Sequence, residues 1–151
     1  MPRYLISTPS ETLTAATAKT VLAWVGGATR RFKCLRILLG GSSVTAADAA
    51  VLVEVISTNQ NTAGTSTSVT PTLLDAGETA SIGAAARTYT AEPTTVTVLD
   101  NLRLSPIGNT YLWELPPGRE YFRAISTTFG LRLTSPATQT TNFAASMLME
   151  E

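Results

Sequence analysis

Four carboxylates lie close enough in the sequence to be weighed as acid–base partners: Glu114 with Glu120, and Asp75 with Glu78. Two carboxyl groups can cleave a glycosidic bond without histidine, one protonating the leaving oxygen while the other serves as base or nucleophile. Glu114, however, is flanked by Trp113 and Leu115 in a strand-like run, and Glu120 follows Arg119. Solvated or arginine-paired carboxylates are the simpler account. The Asp75–Glu78 loop has no further acidic residues to fill the six to eight oxygen positions that calcium needs. Histidine is absent from the chain, which removes Ser-His-Asp and Cys-His nucleophilic machinery and leaves no imidazole base or metal ligand. The glycine pairs at 26–27 and 40–41 are not followed by Gly-Lys-Ser/Thr, and the only lysines are Lys19 and Lys33. No phosphate loop or dinucleotide fingerprint is present. The single cysteine, Cys34, can form neither an intrachain disulfide nor a cysteine-rich metal site. Beside Phe32 and Leu35 it reads as a small buried hydrophobe. No catalytic, cofactor-binding or metal-binding residue is assigned. Trp24, Tyr89, Tyr111 and Trp113 could stack on a sugar, but each falls in or beside a strand-like run, which favours packing in the core or between subunits.

The elements that would position these residues read as short strands. Residues 1–10 contain Pro2 and Pro9 around a brief apolar piece, Tyr4-Leu5-Ile6, and are expected to form an extended arm. Ser10 to Ala18 is ambiguous between a short helix and extended chain, the four threonines in 12–20 favouring the latter. Thr20–Val25 reads as a strand closed by Gly26-Gly27. Arg30–Leu39 is the longest strand signal: Phe32 and Cys34 alternate with Arg31 and Lys33, alternation fails at Leu35-Arg36, and Ile37-Leu38-Leu39 is apolar throughout. A bulge or a second buried face would each account for this. Val44–Ala50 is alanine-rich and passes for a helical turn. Val51–Ile56 reads as a strand, and 59–68 has loop composition. Further strands are expected at Ala84–Thr90, Thr95–Leu99, Leu102–Leu104, Tyr111–Leu115, Tyr121–Ser126, Leu131–Thr134 and Phe143–Met149. Glycine and proline bound most of them, as at the Pro116-Pro117-Gly118 corner. Short strands punctuated in this way predict an all-β fold, an antiparallel β-sandwich, most simply a jelly roll. Residues 11–151 form its single domain. Phe32, Cys34, Val53, Val55, Trp113, Leu115, Leu131 and Leu133 are expected in one core.

Length and charge narrow the function classes. A chain of 151 residues suits one domain and buries roughly 70% of its unfolded surface. Its formal net charge is zero, so it lacks the basic field that nucleic acid or an anionic membrane would attract. Nine of its 11 bases are arginine, whose planar fork suits bidentate pairing with carboxylates across an interface. No apolar run reaches the length of a signal peptide or a membrane span. The expected site of synthesis is the cytoplasm.

Three pieces, in this order, resemble a known family: Asn61-Thr-Ala-Gly-Thr65; Tyr89-Thr-Ala-Glu-Pro-Thr94; and Leu112-Trp-Glu-Leu-Pro-Pro-Gly-Arg-Glu120 followed by Gly130-Leu-Arg-Leu-Thr-Ser-Pro136. Together they are similar to the small jelly-roll virion proteins of tailed bacteriophages, of the head-decoration or cement type, over about residues 12 to 151. The resemblance implies a non-enzymatic structural protein made in the host cytoplasm. It would sit as a homotrimer on the outer surface of the phage capsid and brace the major capsid protein. On that reading Arg3, Tyr4, Leu5, Ile6, Arg30 and Arg31 would contact the capsid. Ile37, Leu39, Leu52 and Ile56, on strands apolar on both faces, would lie between subunits. The alternative is a carbohydrate- or receptor-binding jelly-roll module of a phage tail or fibre, which requires aromatic side chains gathered in an exposed groove.

Overall fold

The computed structural model describes residues 1–42, 49–59 and 64–151. The expectations for 44–50, for the 59–68 tract and for the Asn61–Thr65 motif lie partly or wholly outside these residues. Twelve strands follow one another in the described chain: β1 (Arg3–Leu13), β2 (Ala18–Val25), β3 (Phe32–Gly41), β4 (Val51–Thr58), β5 (Thr67–Val69), β6 (Thr72–Leu73), β7 (Ala84–Arg87), β8 (Thr97–Leu104), β9 (Thr110–Glu114), β10 (Tyr121–Arg123), β11 (Thr128–Thr134) and β12 (Thr141–Glu150). They form two six-stranded antiparallel sheets packed face to face, a β-sandwich. The first sheet runs β10-β3-β12-β1-β6, with β9 also on β3, and the second runs β5-β7-β2-β11-β4-β8.

The expected arm is not an arm. Residues 3–10 open β1, which pairs with β12 from Arg3↔Glu150 to Leu13↔Thr141. Tyr4 and Ile6 are fully buried, because period-2 alternation points them between the sheets. The domain boundary expected at residue 10 therefore falls inside a strand. Neither proline obstructs the ladder. Pro2 precedes the strand, and Pro9 sits where the register shifts between Thr8 and Glu11. A bulge leaves a residue outside the hydrogen-bond ladder, so a missing N–H costs little there.

The failure of alternation in β3 is also a bulge. Leu148 pairs with Arg36 while Met149 pairs with Cys34, leaving Leu35 as the extra residue. Phe32 and Cys34 before it, and Ile37 and Leu39 after it, thereby all point into the core. Ile37 and Leu39 are fully buried within one chain, so they cannot lie between subunits. Leu131, Leu133, Val53 and Val55 meet them from the other sheet as expected. Trp113 is only partly buried, packed against the core edge, and Leu115 lies outside the core cluster. The ladder ends there: β9 closes at Glu114, and Leu115 donates its N–H to the Leu35 carbonyl, 3.0 Å away, beside the bulge.

The two sheets differ in what covers their outer faces. β7 and β8 stand on opposite sides of β2, β11 and β4, so the chain joining them must cross those strands. The inner face is filled by the core, and the crossing is made outside. This strap, residues 88–96, is fastened at several points. Tyr89 N–H donates to the Thr20 carbonyl (3.2 Å). The Glu92 carboxylate accepts from both the backbone N–H and the hydroxyl of Thr20. The Thr58 hydroxyl donates to the Thr95 carbonyl (2.6 Å). Thr20 is free for Glu92 because β2 bulges at Val21, where Leu131↔Leu22 gives way to Arg132↔Thr20. Beneath the strap, Ala23, Gly130 and Ile56 face away from the core yet are buried. Ile56 is thus occupied by its own chain rather than by a second subunit.

Candidate interaction surfaces

The paired carboxylates are held in structural contacts or separated. Asp75 takes a bidentate pair from Arg3, with Nε 3.1 Å and Nη2 2.9 Å away. The hydrogen bonds and charge of Arg3 hold its carboxyl below the usual range. Glu78 lies on a different feature, an open depression described below. Glu120 accepts from Gly118 N–H at 2.7 Å and lies 3.6 Å from Lys33 Nζ. Its own and the Gly118 backbone N–H groups, with Lys33, lower its pKa against the opposing effect of burial. Glu114 sits on the outer face of the first sheet, opposite Arg36. Among the described residues no group of three or more acidic, cysteine or histidine side chains could hold a metal ion.

The most buried carboxylate outside a terminal position is one that the sequence did not single out. Glu11 is 8% exposed and accepts from Thr8 Oγ1 (2.9 Å), Thr88 Oγ1 and Lys19 Nζ (3.2 Å). Burial alone would raise its pKa, but the two hydroxyls and Lys19 outweigh it, and the carboxyl is held low. Glu11 ties β1 to β2 and to the start of the strap. The only sequence signal for it was an acidic residue within a threonine-rich segment. Glu151 plays a similar capping part, accepting from the N–H groups of Ile82 (3.1 Å) and Gly83 (2.8 Å).

Most of the aromatic side chains line the interior. Tyr4, Trp24 and Phe32 form one run, with ring centroids 5.8 and 6.3 Å apart. Tyr111, Trp113, Tyr121 and Phe129 form a second, at 6.4, 6.3 and 5.6 Å. Trp24 is fully buried and Tyr89 is 5% exposed, while Tyr111 reaches 38%. Tyr121 donates its hydroxyl to Asp100 across the open side of the sandwich (2.9 Å), and burial together with Asp100 raises its pKa.

Two surfaces remain. At one end, Arg30 and Arg31 are exposed and line an open depression of about 480 Å³ with Met1, Pro2, Glu78, Thr79 and Glu151. Of the expected capsid contacts, the fold thus brings Arg30 and Arg31 together beside the start of β1. Arg3 is exposed nearby but engaged with Asp75. Leu5 is half-buried on the outer face of the first sheet, and Tyr4 and Ile6 are unavailable. The second surface is that outer face itself, which no strap crosses among the described residues. Of the expected subunit contacts, Leu52 alone keeps partial exposure, on β4 between the buried Val51 and Val53.

Comparison with known proteins returns no match to a family model, a curated protein or a solved structure. Among the described residues, no helix is long and apolar enough to cross a membrane.

Proposed function

We propose that the protein is a non-enzymatic structural protein of a phage virion. In this reading it is a jelly-roll decoration or cement protein that binds the outside of an assembled head, three copies together, and stabilises the shell. The observation that favours this over a glycan- or receptor-binding module is the fate of the aromatic side chains. Most of them pack in two runs along the core, and the most exposed aromatic, Phe122, lies against Lys33 Nζ 5.5 Å from its ring centroid. That leaves no groove of stacked rings for a sugar. The capsid-facing surface in this reading is the end carrying Arg30 and Arg31, whose forks would pair with acidic shell residues. Three copies on one rigid body would engage the lattice together, raising avidity without new contacts.

Deleting residues 2–9 cannot test this, because it would remove Tyr4 and Ile6 from the core. The test is cosedimentation with undecorated capsids of the same phage, comparing the full chain with a folded R30E/R31E variant. The full chain is expected to pellet with capsids and the variant to lose at least tenfold in affinity. Equal binding by the variant would remove that end as the anchor. Failure of the full chain to bind at all would overturn the cement reading in favour of the carbohydrate- or receptor-binding one.

A further inference from the structure

The outer face of the first sheet carries a pattern that complements itself. Strand register sets its residues in rows. Lys33 lies beside Phe122, Arg36 beside Glu114, Leu38 beside Leu112, and Gly40 beside Thr110. β12 and β1 continue the rows with Glu150 and Arg3, Leu148 and Leu5, Ser146 and Ser7. The centre is therefore apolar and low in relief: Leu38, Leu148 and Leu5 are half-buried, and Leu112 is 50% exposed. A side chain at Gly40 would meet open space. A shallow depression of about 270 Å³ lies there among Gly40, Ala144, Ser146 and Ser7. The charges at the first row are satisfied within the chain, Lys33 by Glu150 (2.9 Å) and Arg3 by Asp75 (2.9 Å). Arg36 and Glu114 are not. They are direct cross-strand neighbours, yet no hydrogen bond or ion pair engages either side chain among the described residues.

We propose that this face docks a second copy of the chain about a two-fold axis running parallel to β3, between β3 and its β9–β10 neighbour. Such an axis exchanges the two columns of each row. Arg36 of one copy then faces Glu114 of the other, and the reverse, giving two equivalent ion pairs. Leu38 faces Leu112 twice, and Gly40 leaves room for Thr110. An isologous contact needs this kind of self-complementary patch. Packed sheets lie about 10 Å apart, a gap that Arg and Glu side chains bridge together. With strands about 4.8 Å apart and about 3.3 Å per residue, the two columns that face each other about this axis, β3 and β9–β10, present roughly 300 Å² in plan over ten residues. Two copies then bury about 600 Å², below a standard interface and in the range of weak contacts. The contact is accordingly a concentration-dependent one. It does not rest on the capsid reading, and it would join copies whether or not a separate contact closes a trimer.

Charge reversal tests it. In R36E both facing pairs become carboxylate against carboxylate, and in E114R both become guanidinium against guanidinium. In an equimolar mixture of the two variants, one copy presents carboxylates at both positions while the other presents guanidinium groups at both. Both pairs become attractive again, but only between unlike copies. Sedimentation velocity over a wide concentration range is expected to show the wild-type chain associating in even-numbered species. Each single variant should drop to half that size, and the mixture should regain it, with native mass spectrometry reading one copy of each variant per pair. L112E, in the apolar centre, should also halve the size. A wild-type chain that stays monomeric, single variants that associate as the wild type does, or a mixture without mixed pairs would each overturn the proposal. Circular dichroism of each variant confirms that loss of association is not loss of fold.

Discussion

Replacing Glu92 by alanine should unfasten the strap. Its carboxylate accepts two hydrogen bonds from Thr20, one from the backbone N–H and one from the hydroxyl, and Thr20 is only 2% exposed. A hydrogen bond to a charged group contributes roughly 1.5–3 kcal/mol, and an orphaned buried donor costs about 1–3 kcal/mol. These are two faces of the same loss, not separate sums, and water entering the space left by the side chain would recover part of it. The expected destabilisation is about 3 kcal/mol. For a domain near 150 residues this lowers Tm by roughly 6–12 °C. Glutamine at position 92 keeps one acceptor oxygen and should lose about half as much. Urea unfolding gives the free energy, and amide hydrogen exchange gives the locus: the Thr20 N–H should exchange faster in E92A while the β12 amides keep their relative order. A loss under about 0.5 kcal/mol, below the usual worth of one hydrogen bond, with Thr20 exchange unchanged, would refute the assignment of Glu92 as the strap's anchor.

Three further outcomes are expected. Leu133→Ala, at a fully buried position between the sheets, should cost about 2–5 kcal/mol, measured by urea unfolding. The Cys34 thiol is buried and its pKa is pushed up to about 12 by that burial, so a thiol reagent at mildly alkaline pH should leave the folded chain unmodified and label it quantitatively in denaturant. Glu11 has its folded pKa below the ordinary value of 4.5; the stability it contributes is present above that value and is lost as pH falls through the folded pKa. The acid limb of the stability profile should therefore flatten in E11Q, as read by Tm against pH.

Much of the sandwich was legible because its strands are short and their punctuation is local. Phe32, Cys34, Val53, Val55, Leu131 and Leu133 could be placed in the core from alternation alone. Leu35-Arg36 announced the β3 bulge by breaking that alternation. β1 was not legible. Tyr4, Ile6 and Thr8 do alternate, but two prolines suggested an arm, and only the register showed that both sit where the ladder needs no donor. Ile56 looked like surplus apolar surface for a different reason. A sequence shows that a strand is apolar on both faces, but not that residues 88–96 return to cover one of them. Arg36 and Glu114 lie far apart in sequence, so their juxtaposition depends wholly on the pairing of β3 with β9.

The pairing of β1 with β12 also sets the order in which the chain can be completed. Arg3 meets Glu150, so β1 waits for every residue up to β12 to be synthesised before its principal partner exists. At roughly 5–20 residues per second, that wait is on the order of 10 s. During it, Tyr4, Ile6 and Leu13 have no complete core to enter. Pairing across such a sequence separation carries a large loop-closure cost before any contact is gained. The nascent chain thus spends its synthesis with an unpaired, apolar edge, the feature that chaperones recognise and that drives aggregation when many copies are made at once. Lower temperature during expression should raise the soluble yield more for this topology than for a sandwich of the same size built from sequential hairpins.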